Sequence, residues 1–217
     1  MSLNDEFVED VAKLHRNFAN VQGANAVKGR YYDGLQRVKD LGISLPPQMR
    51  SIEAVVGWPG TAVDVVEERL DFEGWTGDDL TDVYTSNDLD GEAPQAHLDA
   101  LIYGTAFIAV TSGAEGEPDP LVTVESPTSM TAEWDGRKRA IKSAAKFWSD
   151  NDEFEANRAV LFRPNENVIL EKTRGRWEAV EVDEHNSNRV SVAQMVNRPR
   201  ASKRGGRSEI TPAVRGY

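Results

Sequence analysis

Apolar residues recur along the first hundred positions at the three- and four-residue spacings of helices, and after Thr105 the pattern changes to runs and alternations of strand type. Phe7, Val11, Leu14, Phe18 and Val21 form one stripe on a long helix, which Ser2 and Asp5 open in the manner of a capping box. Tyr31-Tyr32 and a Gly/Pro-punctuated stretch lead to Pro46-Pro47, which opens a helix carrying Met49, Ile52, Val55 and Val56 and closed by Gly57. Pro59 starts another, with Ala62, Val63, Val66 and Leu70 inward. Thr76 with Asp79 caps a short helix presenting Leu80, Val83 and Tyr84. Asp90 caps the next, whose buried face is Leu98, Leu101 and Ile102 and which ends at Gly104.

From Thr105 to Thr111 the chain is a continuous apolar run, and Leu121 to Glu125 and Met130 to Trp134 are further short strands. Asp135-Gly136 then separates Trp134 from a run in which Ile141, Ala145 and Phe147 alternate with Lys142 and Lys146, a hairpin signal. Ala159 to Arg163, Val168 to Glu171 and Trp177 to Val182 continue the meander through turns at Pro164-Asn165 and Arg174-Gly175. A last strand runs from Ser191 to Asn197. Arg200 to Arg207 has no periodicity and reads as an exposed loop or linker. The expected class is α+β: helices over 1–104, an antiparallel β-meander over 105–197 in the same domain, and a basic linker and tail over 198–217.

Composition narrows the functional classes. The 217 residues are 39% hydrophobic and 28% charged, which is a globular composition. With no cysteine, a disulfide scaffold, a thiolate-bound zinc and thiol catalysis are excluded. The longest uncharged stretch, Ala100 to Ala114, is short of the roughly 20 residues a membrane helix needs. Met1 to Asp10 carries acidic residues and no basic one, unlike a secretory or mitochondrial leader, so the protein is expected to act where it is made, with no membrane partner.

The net charge of −11 is unevenly placed. Between Asp64 and Asp99, an acidic surface is expected from Asp64, Glu67, Glu68, Asp71, Asp78, Asp79, Asp82, Asp88 and Asp90, with Glu73, Glu92 and Asp99; only Arg69 opposes them. After Val196 the sign reverses with Arg198, Arg200, Lys203, Arg204, Arg207 and Arg215. The bland reading is a solvated helix face and a mobile basic tail. The sharper one is contact of Arg198, Arg200, Lys203, Arg204 and Arg207 with DNA or with the acidic face of an adjacent subunit.

Motifs for catalysis are incomplete. Ser86, Asp88, Asp90 and Gly91 match the first half of a calcium loop, but the twelfth position is His97 where a bidentate Glu belongs. Ser143 and Lys146 match Ser-x-x-Lys, yet on a strand they point to opposite faces. His15, His97 and His185 have no second ligand at helical spacing. Gly113 to Gly116 lacks the third glycine and the following helix of a phosphate loop. A two-metal hydrolase built from the acids of 64–99 is the alternative from another class. It needs carboxylates from separate elements converging on ions about 4 Å apart. No cofactor is expected.

Taken as phrases, the chain resembles the N-terminal half of tailed-bacteriophage portal proteins, in the form found in phages and prophages of actinobacteria. The phrases are Tyr31-Tyr-Asp-Gly34, Leu45-Pro-Pro-Gln-Met-Arg50, Val56-Gly-Trp-Pro59, Ala62 to Leu70, Asn87-Asp-Leu-Asp90, His97 to Gly104, Val124-Glu-Ser-Pro127, Val196-Asn-Arg-Pro199 and Gly206 to Ile210. The resemblance implies a structural protein and not an enzyme: a ring of about twelve subunits at the head-tail vertex, through which DNA is packaged and ejected. Its implied partners are other copies of itself, terminase, scaffold or capsid and head-completion proteins, and duplex DNA that passes without sequence-specific binding. Assembly is implied in the bacterial host cytoplasm, with the virion vertex as destination.

This portion resembles the outer wing of such rings. Portal proteins run to roughly double this length, and Pro212 with the residues to Tyr217 departs from the family where a helix is expected. A truncated, non-functional prophage remnant is therefore the expected alternative within the family.

Overall fold

The first three members of the N-terminal stripe, Phe7, Val11 and Leu14, are each no more than 4% exposed, on a helix spanning Leu3–Tyr32 (α1). The computed structural model describes residues 3–35, 57–149 and 156–211. The expected helix with Met49, Ile52, Val55 and Val56, the phrase Leu45 to Arg50 and the tail from Pro212 lie outside the described residues. Three further helices, α2 (Trp58–Glu67), α3 (Thr81–Ser86) and α4 (Leu89–Tyr103), precede eight strands. These are β1 (Thr105–Thr111), β2 (Leu121–Glu125), β3 (Met130–Asp135), β4 (Ala140–Trp148), β5 (Arg158–Phe162), β6 (Glu166–Thr173), β7 (Arg176–Glu184) and β8 (Val192–Val196). Among the described residues no helix is long and apolar enough to cross a membrane.

The class is α+β, but the strands form two antiparallel sheets rather than one meander. β3 to β7 are joined in sequence order, whereas β8 leaves that series and pairs with β1, giving a second sheet ordered β2-β1-β8. The reason lies in the faces. Val192 of β8 packs with Phe107 and Ala109 of β1 against Met130, Ala144 and Phe162 of the larger sheet. The other face of the small sheet, through Ala106, Val124 and Met195, meets Ala96 and Ala100 of α4. The other face of the large sheet receives α1 through Ala145, Phe147, Leu161, Val168, Leu170 and Trp177. The layers therefore run α1, five strands, three strands, α4. Because both faces of β4 are covered, Ser143, Ala144 and Ala145 are buried in succession.

Two expected patterns change for identifiable reasons. Opposite Glu133 and Trp134 the β3–β4 register skips Lys142, a bulge that moves Ile141 onto the face of Ala144, away from Ala145 and Phe147 with which it was grouped. The α1 stripe fades after Leu14, and Val21 is 45% exposed. Beyond the sheet the helix is held by polar groups. Gln22 and Asn25 donate to the Pro127 carbonyl at 3.0 and 3.3 Å, and Lys28 Nζ donates to the Tyr103 carbonyl at 2.7 Å.

In α2, Pro59 occupies the first turn as expected, but of the expected inward face only Val63 is buried; Ala62, Val66 and Leu70 are exposed. The buried line is Pro59, Gly60 and Val63, narrow because Gly60 lies directly under the Tyr32 carbonyl. Thr76 does not cap α3, and Leu80 is exposed. The Asp79 carboxylate accepts from the Thr81 N–H at 2.9 Å and from its hydroxyl at 2.5 Å. Asp88, in the left-handed region at φ 49°, stands at the N-cap of α4 without a side-chain capping bond, and Asp90 falls inside the first turn. The helix ends at Gly104, as expected.

Candidate interface surfaces

The basic end is built onto the end of α4. Asn197 N–H donates to the Gly104 carbonyl at 3.0 Å, and Gly206, at φ 76°, passes so close that only a residue without Cβ fits. Arg207 N–H returns to the Asn197 carbonyl at 2.8 Å, and Asn197 Nδ2 donates to the Arg207 carbonyl at 2.7 Å and to Glu209 Oε1 at 2.8 Å. Glu209 also receives Arg198 Nε at 2.7 Å, and its N–H donates to the Leu101 carbonyl at 2.9 Å. Ile210 is buried with Val63, Leu101 and Ile102. The exposed loop expected at Arg200 to Arg207 is thus clamped at both feet. Arg200 and Lys203 exchange backbone bonds across its tip, and Arg200, Lys203, Arg204 and Arg207 face outward. Burial, with Lys203 nearby, holds the Lys28 ammonium below the usual lysine range.

The acidic residues are spread along α2, the segment after it, α3 and the start of α4. Asp64 accepts the Tyr32 hydroxyl at 2.8 Å; burial and this carboxylate push the Tyr32 phenol up to about 12. Glu67 Oε1 stands 3.4 Å from His97 Nδ1. Two hydrogen bonds from Thr81 hold the Asp79 carboxyl below its usual range. Glu68, Asp71, Asp78, Asp82, Asp88 and Asp90 face solvent. Asp99, on α4, is partly buried, its carboxyl raised by desolvation, which a Ser126 hydrogen bond only partly offsets. Among the described residues, no three acids or histidines converge where a cation would sit.

The remaining candidates have structural surroundings. Lys146 Nζ, on β4, donates to Glu125 Oε1 at 2.6 Å, while Ser143 is buried. His15 meets the Phe147 ring edge-on at 5.1 Å. His185 lies 2.8 Å from the Ser187 hydroxyl through Nδ1.

Two features had no expectation attached. The free edges of β3 and β8 border adjoining grooves of about 610 and 540 Å³, with Arg200 and Arg204 in one and Lys138, Arg139, Lys142 and Arg189 in the other. The signal for the second groove in the sequence is the basic run Arg137-Lys138-Arg139 beside the Asp135-Gly136 turn. In addition, Phe72, Trp75 and Tyr84 form an exposed aromatic cluster, with Phe72 stacked on Tyr84 at 4.8 Å.

A family model described as phage portal protein, SPP1 Gp6-like, matches residues 48–213. The portal protein of Mycobacterium phage D29 is 33% identical over 203 residues, covering 85% of this chain and 41% of its own length. That of Mycobacterium phage L5 is 32% identical over 232 aligned residues, covering 97% of this chain and 47% of its own. The chain spans less than half the length of the curated relatives it matches.

Proposed function

The chain belongs to the SPP1 Gp6-like phage portal protein family, and on that premise we propose that it serves as a structural subunit of a portal ring at the head-tail vertex, through which DNA enters and leaves the capsid. The observation that carries this reading is the family match over residues 48–213, which takes in α2 to α4, both sheets and the basic end together. Its work is mechanical rather than catalytic: to hold its neighbours in about twelvefold symmetry, with terminase, capsid or scaffold and head-completion proteins as further partners. Assembly takes place in the host cytoplasm, and the finished ring stays in the virion.

The charge supports the reading. A conduit must surround DNA without releasing enough counterions to grip it, and a body of net charge −11 does not neutralise phosphate. The clamped basic loop, with Arg198, Arg200, Lys203, Arg204 and Arg207, meets the acidic face of an adjacent copy rather than the duplex. Electron microscopy of the purified chain at low salt tests the proposal: rings with an open centre are expected, and a field of particles of single-chain size at every concentration would overturn it.

A further inference from the structure

We propose that the groove between the free edges of β3 and β8 receives the acidic segment 70–80 of a neighbouring copy, an inference that rests on the ring reading and names its contact. Among the described residues β3 pairs only with β4, and β8 only with β1, so each described sheet ends at this groove. An unpaired edge presents a row of backbone donors and acceptors that an added strand satisfies. The two grooves adjoin at Trp134 and Gln194, which line both, and together they make up the trough between the edges. Its rim carries Lys138, Arg139, Lys142, Arg189, Arg200 and Arg204, against one lining carboxylate, Asp135. Asp135 is already engaged, accepting the N–H groups of Arg137 and Lys138 at 2.8 and 3.0 Å. Of the six bases, only Lys142 forms a salt bridge among the described residues, with Glu133 at 3.8 Å. The floor includes Trp134, 39% exposed.

The segment fits this trough in charge and in period. Residues 70–80 have no helix or strand and every one is exposed. They carry Asp71, Glu73, Asp78 and Asp79 and no base. Asp71, Phe72 and Glu73 alternate, so in an extended strand the two acids face one side and Phe72 the other, the arrangement a basic rim and an aromatic floor require. Phe72 and Trp75 remain 49% and 38% exposed despite their mutual contact, apolar surface that docking would cover. A duplex would engage the rim but leave Trp134 and both backbone edges unsatisfied. Groove and segment are different surfaces of the same chain, so the contact is heterologous and propagates from copy to copy into a ring.

The test uses the intact chain and a fluorescein-labelled peptide of residues 68–80, followed by anisotropy, with light scattering in parallel. Saturable binding is expected, weakened about tenfold or more by Arg200→Glu with Arg204→Glu and by raising salt from about 0.05 to about 0.5 M. Those two exposed changes leave the fold intact. In full chains, the reversed groove and a reversed segment (Asp71→Lys, Glu73→Lys, Asp78→Lys) each fail to associate alone and co-assemble when mixed. Absence of peptide binding, or equal binding by the groove variant, would overturn the proposal. So would a short duplex DNA that binds in the peptide's stead and is lost in that variant. A monomeric chain that binds the peptide keeps the groove and removes the ring; a ring indifferent to the groove variant keeps the ring and removes the groove.

Discussion

A Cβ atom on Gly206 would stand 2.1 Å from the carbonyl oxygen of Gly104, and this backbone-on-backbone contact is what ties the basic end to the terminus of α4. Gly206 also holds φ at +76°, a region costly for residues with a side chain. Gly206→Ala is expected to lose more than about 2 kcal/mol in urea unfolding, while Gly205→Ala, whose Cβ meets nothing within 4 Å, stays within about 0.5 kcal/mol of wild type. Equal effects would contradict the clamp.

The placement of α1 makes a similar paired prediction. Leu14 is 1% exposed over the five-stranded sheet, so Leu14→Ala should cost about 2–5 kcal/mol. Val21, past the sheet, belongs to the same stripe in sequence, yet Val21→Ala should change stability by no more than about 0.5 kcal/mol. Comparable losses at both sites would mean that the helix lies flat along its whole length.

Asp99 provides a pH test with a definite sign. Its folded-state pKa is raised by burial, so its contribution to stability is fully present below the unfolded carboxyl range and is lost as pH rises through the folded value. Asp99→Asn, which keeps an acceptor for Ser126, should raise the melting temperature at pH 7. The gain should vanish as pH falls below the carboxylate range. A gain that persists in acid would assign the effect to something other than ionisation.

Tyr32 titrates at the other end of the scale. With its phenol pushed up to about 12 by burial and Asp64, the folded chain resists ionisation that the unfolded chain undergoes near the ordinary tyrosine value of 10.0. Stability contributed there is present below the unfolded value and lost as pH rises toward 12. Tyr32→Phe should flatten the alkaline loss of stability in that window, measured by urea unfolding across the pH series.

Features set by neighbouring residues were legible in the sequence. The Arg174-Gly175 turn has both residues at positive φ, 51° and 80°, as a tight hairpin requires, and the strand Leu121–Glu125 needed only its apolar run and flanking turns. What escaped depends on partners distant in sequence. The pairing of β8 with β1 instead of β7 is decided by which faces Val192 and Met195 cover, and the bulge at Lys142 reverses Ile141 without any local signal. The same distinction holds for the surfaces. Arg198 to Arg207 stood out as a charge run, but the groove's other wall gathers Lys138, Arg139, Lys142 and Arg189 from the β3–β4 hairpin and the segment before β8, which adjoin only after folding.

The mass of the chain in solution tests the central claim most directly. Sedimentation equilibrium at low salt should give a closed species about twelvefold heavier than the 24.0 kDa chain, dissociating as salt rises because a contact between opposite charges is screened. A single 24.0 kDa species across all concentrations and salts would contradict the account.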